Sequence, residues 1–158
     1  MSATAAMVSQ DMFRLDGCAA FVSGAAGHLG QVMARVLCKA GAHVILNGRD
    51  PDRLARLENA LRSDGFSVAS AAFDVGDAPA ARRFFSGLTR LDVLVNNAVS
   101  MTVRPFDALS PEDFAATYAS SVTAAFEAAR AALPALKVAA AEAGEARIVN
   151  IASMYGTV

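Results

Sequence analysis

The chain has 158 residues, enough for one domain, and its 14 basic and 15 acidic side chains leave a formal net charge of −1 at pH 7. This balance excludes the strongly basic proteins that bind nucleic acid or anionic membranes through charge. Hydrophobic residues make up 54% of the chain, with alanine the commonest. No apolar run reaches the length of about 18 residues that a membrane-spanning helix needs.

The amino-terminal segment MSATAAMVSQD has neither a basic start nor a sustained apolar core, so it does not match a secretory signal. We expect a flexible leader over residues 1–11, one domain over residues 12–158, and a cytoplasmic protein. The two cysteines, Cys18 and Cys38, have no metal-ligand spacing. They are predicted to be reduced core residues, and no metal site is predicted.

The predicted elements alternate between strand and helix along the chain. Short apolar runs without a period of two predict buried strands, and apolar residues spaced by three and four predict helices. Asp50 before Pro51 and Ser110 before Pro111 are typical helix starts. The predicted order is strand Cys18–Ser23, helix His28–Lys39, strand Ala42–Asn47, a helix from Pro51 up to Gly65, strand Phe66–Phe73, helix Ala78–Leu88, strand Leu91–Asn96, helix Pro111–Ala143 and strand Arg147–Ala152.

Two of the helices carry more detailed predictions. In the first helix, the large apolar residues fall at spacings of three and four and predict one buried face. They are Leu29, Val32, Met33, Val36 and Leu37. In the last helix, Pro134 predicts a bend, because proline lacks an N–H and its ring clashes with the preceding turn.

Five strands separated by helices predict an α/β fold, a doubly wound parallel sheet with helices on both faces. The fifth strand is apolar on both faces, yet only six residues, Ser153–Val158, follow it. Nothing in the chain could cover that strand or pair with its outer edge. We therefore expect the sequence to be the first part of a longer protein, with the C-terminal part of the fold missing.

A glycine-rich turn, Ser23–Gly30, connects the first strand to the first helix. Gly24 permits a tight turn, and Gly30 permits close approach of helix and strand. The free N–H groups at the start of the helix are suited to hold a pyrophosphate. The alternative is that the glycines only make a compact turn.

Together with this turn, Asp74-Val75, Asn96-Asn97-Ala98 and the Ile148–Ser153 strand follow in an order that resembles the short-chain dehydrogenase/reductase family over residues 13–158. The resemblance implies a Rossmann-type dinucleotide-binding domain. The family's turn has the form T-G-x-x-x-G-x-G, in which Ser23 stands for the threonine and His28 replaces the middle glycine. His28 is either a phosphate contact or an ordinary loop side chain. The resemblance implies that the turn binds cofactor through Ser23, Gly24, Ala26, Gly27, His28, Leu29 and Gly30.

The end of the second strand, Leu46-Asn47-Gly48-Arg49, bears on the choice of nicotinamide cofactor. An acid at Gly48 would bind the ribose 2′-hydroxyl of NAD and repel a 2′-phosphate, and none is present. Arg49 instead offers a charge-assisted bond to the 2′-phosphate, worth about 1.5–3 kcal/mol. The sequence thus favours NADP over NAD, unless Arg49 is a solvated surface side chain.

The motifs after the third and fourth strands are also matched to the family. The resemblance implies that Asp74 and Val75 border the adenine, although an acid at a strand end also occurs as a loop cap. It implies that Asn97 and Ala98 border the ribose, with Val99 where the family has glycine.

The family catalyses proton transfer with Ser, Tyr and Lys, and Ser153 matches the serine that holds the substrate oxygen. The alternative is a turn or helix-cap serine. Tyr155 follows too closely to be the family's tyrosine, so the resemblance places the Y-x-x-x-K segment after Val158. Ser121 stands where the family has an asparagine that kinks the helix and relays protons, so it either binds that water or caps a bend.

We therefore expect an NADP-dependent oxidoreductase acting on a small alcohol or carbonyl compound, with no nucleic-acid or membrane partner. Within the family, Val44–Asp50 and Phe73–Asp77 resemble gluconate 5-dehydrogenases, but both segments face the cofactor and say little about substrate. The resemblance also implies a homodimer or homotetramer. The alternative, favoured by Ser121, Val99 and the missing Tyr–Lys pair, is a non-catalytic nucleotide-binding or scaffold protein.

Overall fold

Strands and helices alternate in the computed structural model, which describes residues 13–153. The predicted leader and Tyr155 lie outside those residues. The strands are β1 (Ala19–Val22), β2 (His43–Gly48), β3 (Val68–Ala72), β4 (Val93–Asn96) and β5 (Arg147–Asn150). The helices are α1 (His28–Lys39), α2 (Pro51–Ser63), α3 (Ala78–Ser86), α4 (Pro111–Tyr118) and α5 (Ala124–Ala143), with a 3₁₀ turn at Phe106–Ala108 and a π-helical turn at Ala119–Thr123.

The five strands form one parallel sheet in the order β3-β2-β1-β4-β5. Phe21 of β1 is in register with Ile45 of β2 on one side and with Leu94 of β4 on the other. This confirms the predicted doubly wound α/β fold. The strand order changes direction at β1, because β2 and β3 lie on one side of it and β4 and β5 on the other. In such sheets ligands bind beyond the carboxyl ends of the strands at this point.

Both faces of the sheet are covered over β1, β2 and β4, which explains why these strands are continuously apolar, whereas all four residues of β5 are exposed. Ala20 and Val22 of β1 face a core built with α1 and α2. Phe21, between them, faces a second core built with α3 and α5. Phe21 is fully buried and contacts the rings of Phe73, Phe84 and Phe85 at centroid distances of 4.9 to 6.3 Å.

The first helix buries a different face from the one predicted. Leu29, Val32 and Val36 are 60–63% exposed, and only Met33 and Leu37 of the predicted set pack against the core. The buried residues of α1 are instead the small ones, Gly30, Ala34 and Cys38. The helix approaches the sheet closely, so its contact face has room for small side chains but not for large ones.

The long helix contains an irregular turn that the sequence did not predict. Residues Ala124–Ala143 form one helix that continues through Pro134, whose ring is exposed. The irregular turn is the π-helical segment Ala119–Thr123. Because Pro134 lies on the solvent side, the carbonyl left without its N–H partner faces water, which makes proline tolerable there. The buried face of α5 is mostly alanine, comprising Ala124, Ala128, Ala132, Ala135, Leu136 and Ala139.

A buried carboxylate links the elements at the amino edge of the sheet. Asp92 is 5% exposed and accepts hydrogen bonds from the Ala19 amide at 2.9 Å and from Arg90 Nη2 at 2.6 Å. Arg90 Nη1 also donates to Glu142 Oε2 of α5 at 2.6 Å. Burial opposes the charge on Asp92, but the hydrogen bonds from Arg90 and Ala19 outweigh it and keep the pKa of this carboxyl below its ordinary value.

Candidate functional site

A cavity of about 730 Å³ opens at the carboxyl ends of the strands and extends to α4 and the π-helical turn. Its wall includes every predicted cofactor residue except Ser23. Those residues are Gly24, Ala26, Gly27, His28, Leu29, Gly30, Arg49, Asp74, Val75, Asn97 and Ala98. The structure thus brings the motifs after β1, β2, β3 and β4 together around one space.

The glycine-rich turn forms a compact loop against the end of β2. Gly24 has φ of +64°, a left-handed conformation that glycine adopts without strain. The Gly27 amide donates to the Gly24 carbonyl at 3.0 Å, and the Ala25 amide donates to the Asn47 carbonyl at 2.8 Å. At Gly30 an added Cβ would lie 2.2 Å from the Gly24 carbonyl oxygen, so only glycine fits. This close approach aims the start of α1 at the cavity.

The amino terminus of α1 faces the cavity as a group of backbone donors. Gly27 is the N-cap, and no side chain caps the helix. The amides of His28, Leu29 and Gly30 precede the first residue with an intrahelical acceptor, Gln31, which bonds to the Gly27 carbonyl. These donors, at the positive end of the helix dipole, favour an anionic ligand.

The ends of β2 and β3 bring an arginine and an aspartate to the same wall. Arg49 is 67% exposed, and its Nη1 lies 4.0 Å from Asp74 Oδ2. Asp74 also accepts a hydrogen bond from the Gly76 amide at 2.8 Å. Gly48 has no side chain, and a Cβ there would meet only Leu54, at 3.5 Å. A Cβ would therefore fit at position 48 without a steric clash.

Ser23 differs from the other predicted residues because it lies behind the cavity wall. The residue is 1% exposed. Its hydroxyl donates to the Val95 carbonyl at 3.2 Å and accepts from the amides of Asn97 and Ala98 at 2.9 and 3.0 Å. Ser23 fastens the end of β1 to the loop after β4, and its effect on a ligand would pass through Gly24, Asn97 and Ala98.

The two predicted catalytic serines do not line the cavity. The Ser121 hydroxyl donates to the Thr117 carbonyl at 2.7 Å, within the irregular helix, and its oxygen keeps acceptor capacity for a water. Ser153 is exposed and follows β5. Asn96 Nδ2 donates to Asn150 Oδ1 at 2.9 Å and aligns the carboxyl ends of β4 and β5, three residues before Ser153.

Several cavity residues were missed by the sequence analysis, and three of them have polar side chains with defined positions. Ser120, not Ser121, lines the wall, and its hydroxyl donates to the Ser100 carbonyl at 2.6 Å. Asn47 is 1% exposed and donates to the carbonyls of Ala71 and Phe73. Arg53 lines the wall from the first turn of α2. The sequence did contain a signal for Arg53. Asp50 and Pro51 mark a helix start only two residues after the end of β2, which places the first turn of that helix, including Arg53, near the carboxyl end of the strand.

Residues 13–153 have the features of neither a metal centre nor a membrane-spanning helix. No group of three or more His, Cys, Asp or Glu side chains there is arranged to hold a metal ion. No helix in the same range is both long and apolar enough to cross a bilayer.

Comparison with known proteins matches this arrangement to one family. The model of the family described as short chain dehydrogenase matches residues 18–158. Gluconate 5-dehydrogenase of Gluconobacter oxydans is 31% identical over 156 residues, which cover 94% of this chain and 58% of that protein. A gluconate 5-dehydrogenase structure from Burkholderia cenocepacia, in complex with NADP and tartrate, has a TM-score of 0.81 and 32% identity over 95% of this chain and 59% of that one.

A second solved structure, the active-site complex of RhlG with NADP from Pseudomonas aeruginosa, has a TM-score of 0.86 at 29% identity and covers 92% of this chain. The chain spans 58% of the length of that structure and of the Gluconobacter enzyme. The family match, the strand order and the glycine-rich loop agree with one another. The chain therefore belongs to the short-chain dehydrogenase family.

Proposed function

We propose that the protein is an NADP-dependent oxidoreductase that transfers hydride between the nicotinamide and a small alcohol or carbonyl substrate. One observation carries the proposal. The uncapped amides at the start of α1 and the guanidinium of Arg49 face the same cavity at the carboxyl edge of the sheet. A diphosphate and a 2′-phosphate are the two anions that NADP would bring to such a wall.

The residues present fit this cofactor. The amides of His28, Leu29 and Gly30 would bind the diphosphate, and Arg49 would bind the 2′-phosphate. No carboxylate at Gly48 opposes the phosphate. The amides of Gly27 and Ala25 already bond within the protein, so the loop keeps its shape without a ligand. Such preorganisation lowers the entropy cost of binding.

The relatives support the same cofactor. The matched structures of Burkholderia cenocepacia gluconate 5-dehydrogenase and Pseudomonas aeruginosa RhlG are both described as complexes with NADP. In the proposal, Asp74 and Val75 border the adenine, and Asn97 and Ala98 border the ribose. These four residues line the cavity next to the loop.

The bound cofactor would supply or accept the hydride. In the proposal Ser153 holds the substrate oxygen, and Ser121 shapes the helix beside it. The proposed proton donor is a Tyr–Lys pair that follows Ser153 in the full-length protein; Tyr118 is not its tyrosine, because Val122 stands four positions later. The substrate oxygen would lie beyond the ends of β4 and β5, which the bond between Asn96 and Asn150 keeps aligned.

The proposal is tested by titrating the full-length protein with NADPH and with NADH, following the fluorescence of the reduced nicotinamide. We expect NADPH to bind tenfold to a hundredfold more tightly than NADH, the range that a charge-assisted bond supplies. Turnover is then measured with a panel of sugar acids, alcohols and ketones. Binding without turnover would favour the scaffold alternative, and failure to bind either cofactor would refute the proposal.

We also propose a homo-oligomer, formed through the helices after β4. An apolar stripe at intervals of four residues lies on their outer surface, formed by Phe114, Tyr118, Val122 and Phe126. These side chains are between 48% and 73% exposed. A contiguous apolar stripe of this kind marks an interaction surface. Sedimentation of the full-length protein tests the proposal, because a monomer at high concentration would contradict it.

A further inference from the structure

Arg53 lies on the cavity wall and contacts the glycine-rich loop. It is the third residue of α2, and its Nη2 donates to the Ala26 carbonyl of the glycine-rich loop at 2.8 Å. Arg49, at the end of β2, lines the same cavity. Two arginines therefore line the cavity, one from the strand end and one from the helix that follows it.

The carboxylates near these arginines are engaged by backbone amides. Asp50 caps α2 and accepts from the amides of Asp52 and Arg53, each at 3.0 Å. Asp74 accepts from the Gly76 amide. The charge on Asp50 is thus bound to the positive end of the α2 dipole, which reduces its repulsion of an incoming anion. Asp74 is the nearer acid to Arg49, at 4.0 Å.

We propose that Arg53 is a second specificity-determining residue for the 2′-phosphate of NADP, an inference that rests on the proposed function. Arg49 is 67% exposed and its Nη1 lies 4.0 Å from Asp74 Oδ2, so a second cation would add to the charge-assisted bond that Arg49 supplies. The bond from Arg53 to Ala26 uses one of the five N–H donors of its guanidinium. The remaining donors of Arg53 can bind a phosphate held between Arg53 and Arg49, and the bond to Ala26 reduces the rotamer entropy that Arg53 would lose on binding.

The test is an Arg53→Ala substitution in the full-length protein, with dissociation constants measured for NADPH and NADH by cofactor fluorescence. We expect the dissociation constant for NADPH to rise about tenfold, the effect of losing one charge-assisted hydrogen bond. The constant for NADH should change less than about twofold, because NADH has no 2′-phosphate. Arg53→Lys, which keeps the charge but not the planar fork, should fall between Arg53→Ala and the unmodified protein.

Arg56→Ala is the matched control. Arg56 is exposed one turn further along the same helix and is outside the cavity lining. It should leave both dissociation constants unchanged. Equal weakening of NADPH and NADH by Arg53→Ala would assign Arg53 to loop support alone and overturn the inference, as would an unchanged NADPH constant. If the unmodified protein bound neither cofactor, the proposed function itself would fall, so the two failures are distinguishable.

Discussion

Replacing Gly30 with alanine should weaken cofactor binding by a purely steric route. The added Cβ would lie 2.2 Å from the Gly24 carbonyl oxygen and 2.8 Å from Ala25 Cα, whereas ordinary contacts begin at 3.4 Å. Both obstructing atoms belong to the backbone, so no side-chain rotation relieves the clash. Overpacking of this kind costs about 1–3 kcal/mol in the free energy of unfolding.

The movement that relieves the clash displaces the loop from the start of α1. Each lost hydrogen bond to a charged diphosphate costs about 1.5–3 kcal/mol, so we expect the affinity for NADPH and NADH to fall equally, by tenfold or more. The assay is the fluorescence titration, combined with thermal unfolding. Gly87→Ala is the control, because its added Cβ meets its nearest neighbour at 3.4 Å, outside the cavity lining. Unchanged binding by the Gly30→Ala variant would refute the role given to the loop.

Three further predictions concern the cofactor preference, the buried carboxylate Asp92 and the buried hydroxyl of Ser23. Gly48→Asp combined with Arg49→Ala should reduce the preference for NADPH over NADH by tenfold or more, and an unchanged ratio in titrations of both cofactors would count against the assignment of Arg49. Asp92→Ala should lower the free energy of unfolding by about 3 kcal/mol in denaturant titrations. Glu145→Gln is the control, because it removes the exposed ion pair of Glu145 with Arg147 and should change the free energy of unfolding little. Because folding lowers the pKa of Asp92, its stabilisation is complete above the unfolded value of about 3.9 and is lost as the pH falls through the folded value; a difference between variant and parent that does not shrink as the pH is lowered would contradict this. Ser23→Ala should cost about 1 kcal/mol by leaving the half-buried amides of Asn97 and Ala98 without their acceptor, and Ser23→Thr should retain the stability.

The fold was predicted well from the sequence where strands are continuous apolar runs and helices begin at capping residues. Strands of continuous apolar residues and helix starts such as Asp50-Pro51 give the same elements in the structure. Packing faces were harder to predict. In α1, residue size decides which face is buried: the face with Gly30 and Ala34 packs against the sheet, and the larger Val32 and Val36 lie on the exposed side. Hydrophobicity alone does not reveal how closely a helix approaches a sheet.

The candidate site was predicted through its loops but not through its supporting bonds. The glycine-rich turn, Arg49 and Asp74 converge on one cavity, as their positions after neighbouring parallel strands indicate. Ser23 belongs to the same motif as Gly24, yet its side chain points into the protein, where its hydroxyl donates to the Val95 carbonyl. Ser121 bonds to its own helix, because the π-helical turn changes which serine faces the cavity. Such one-residue changes of direction depend on tertiary contacts that no local pattern records.

The most direct test of the account is a crystal structure of the full-length protein soaked with NADP. The account predicts the diphosphate within hydrogen-bond distance of the amides of His28, Leu29 and Gly30, and the 2′-phosphate against the Arg49 guanidinium. Density for the dinucleotide in another place, or with its 2′-phosphate directed to solvent away from Arg49, would contradict it.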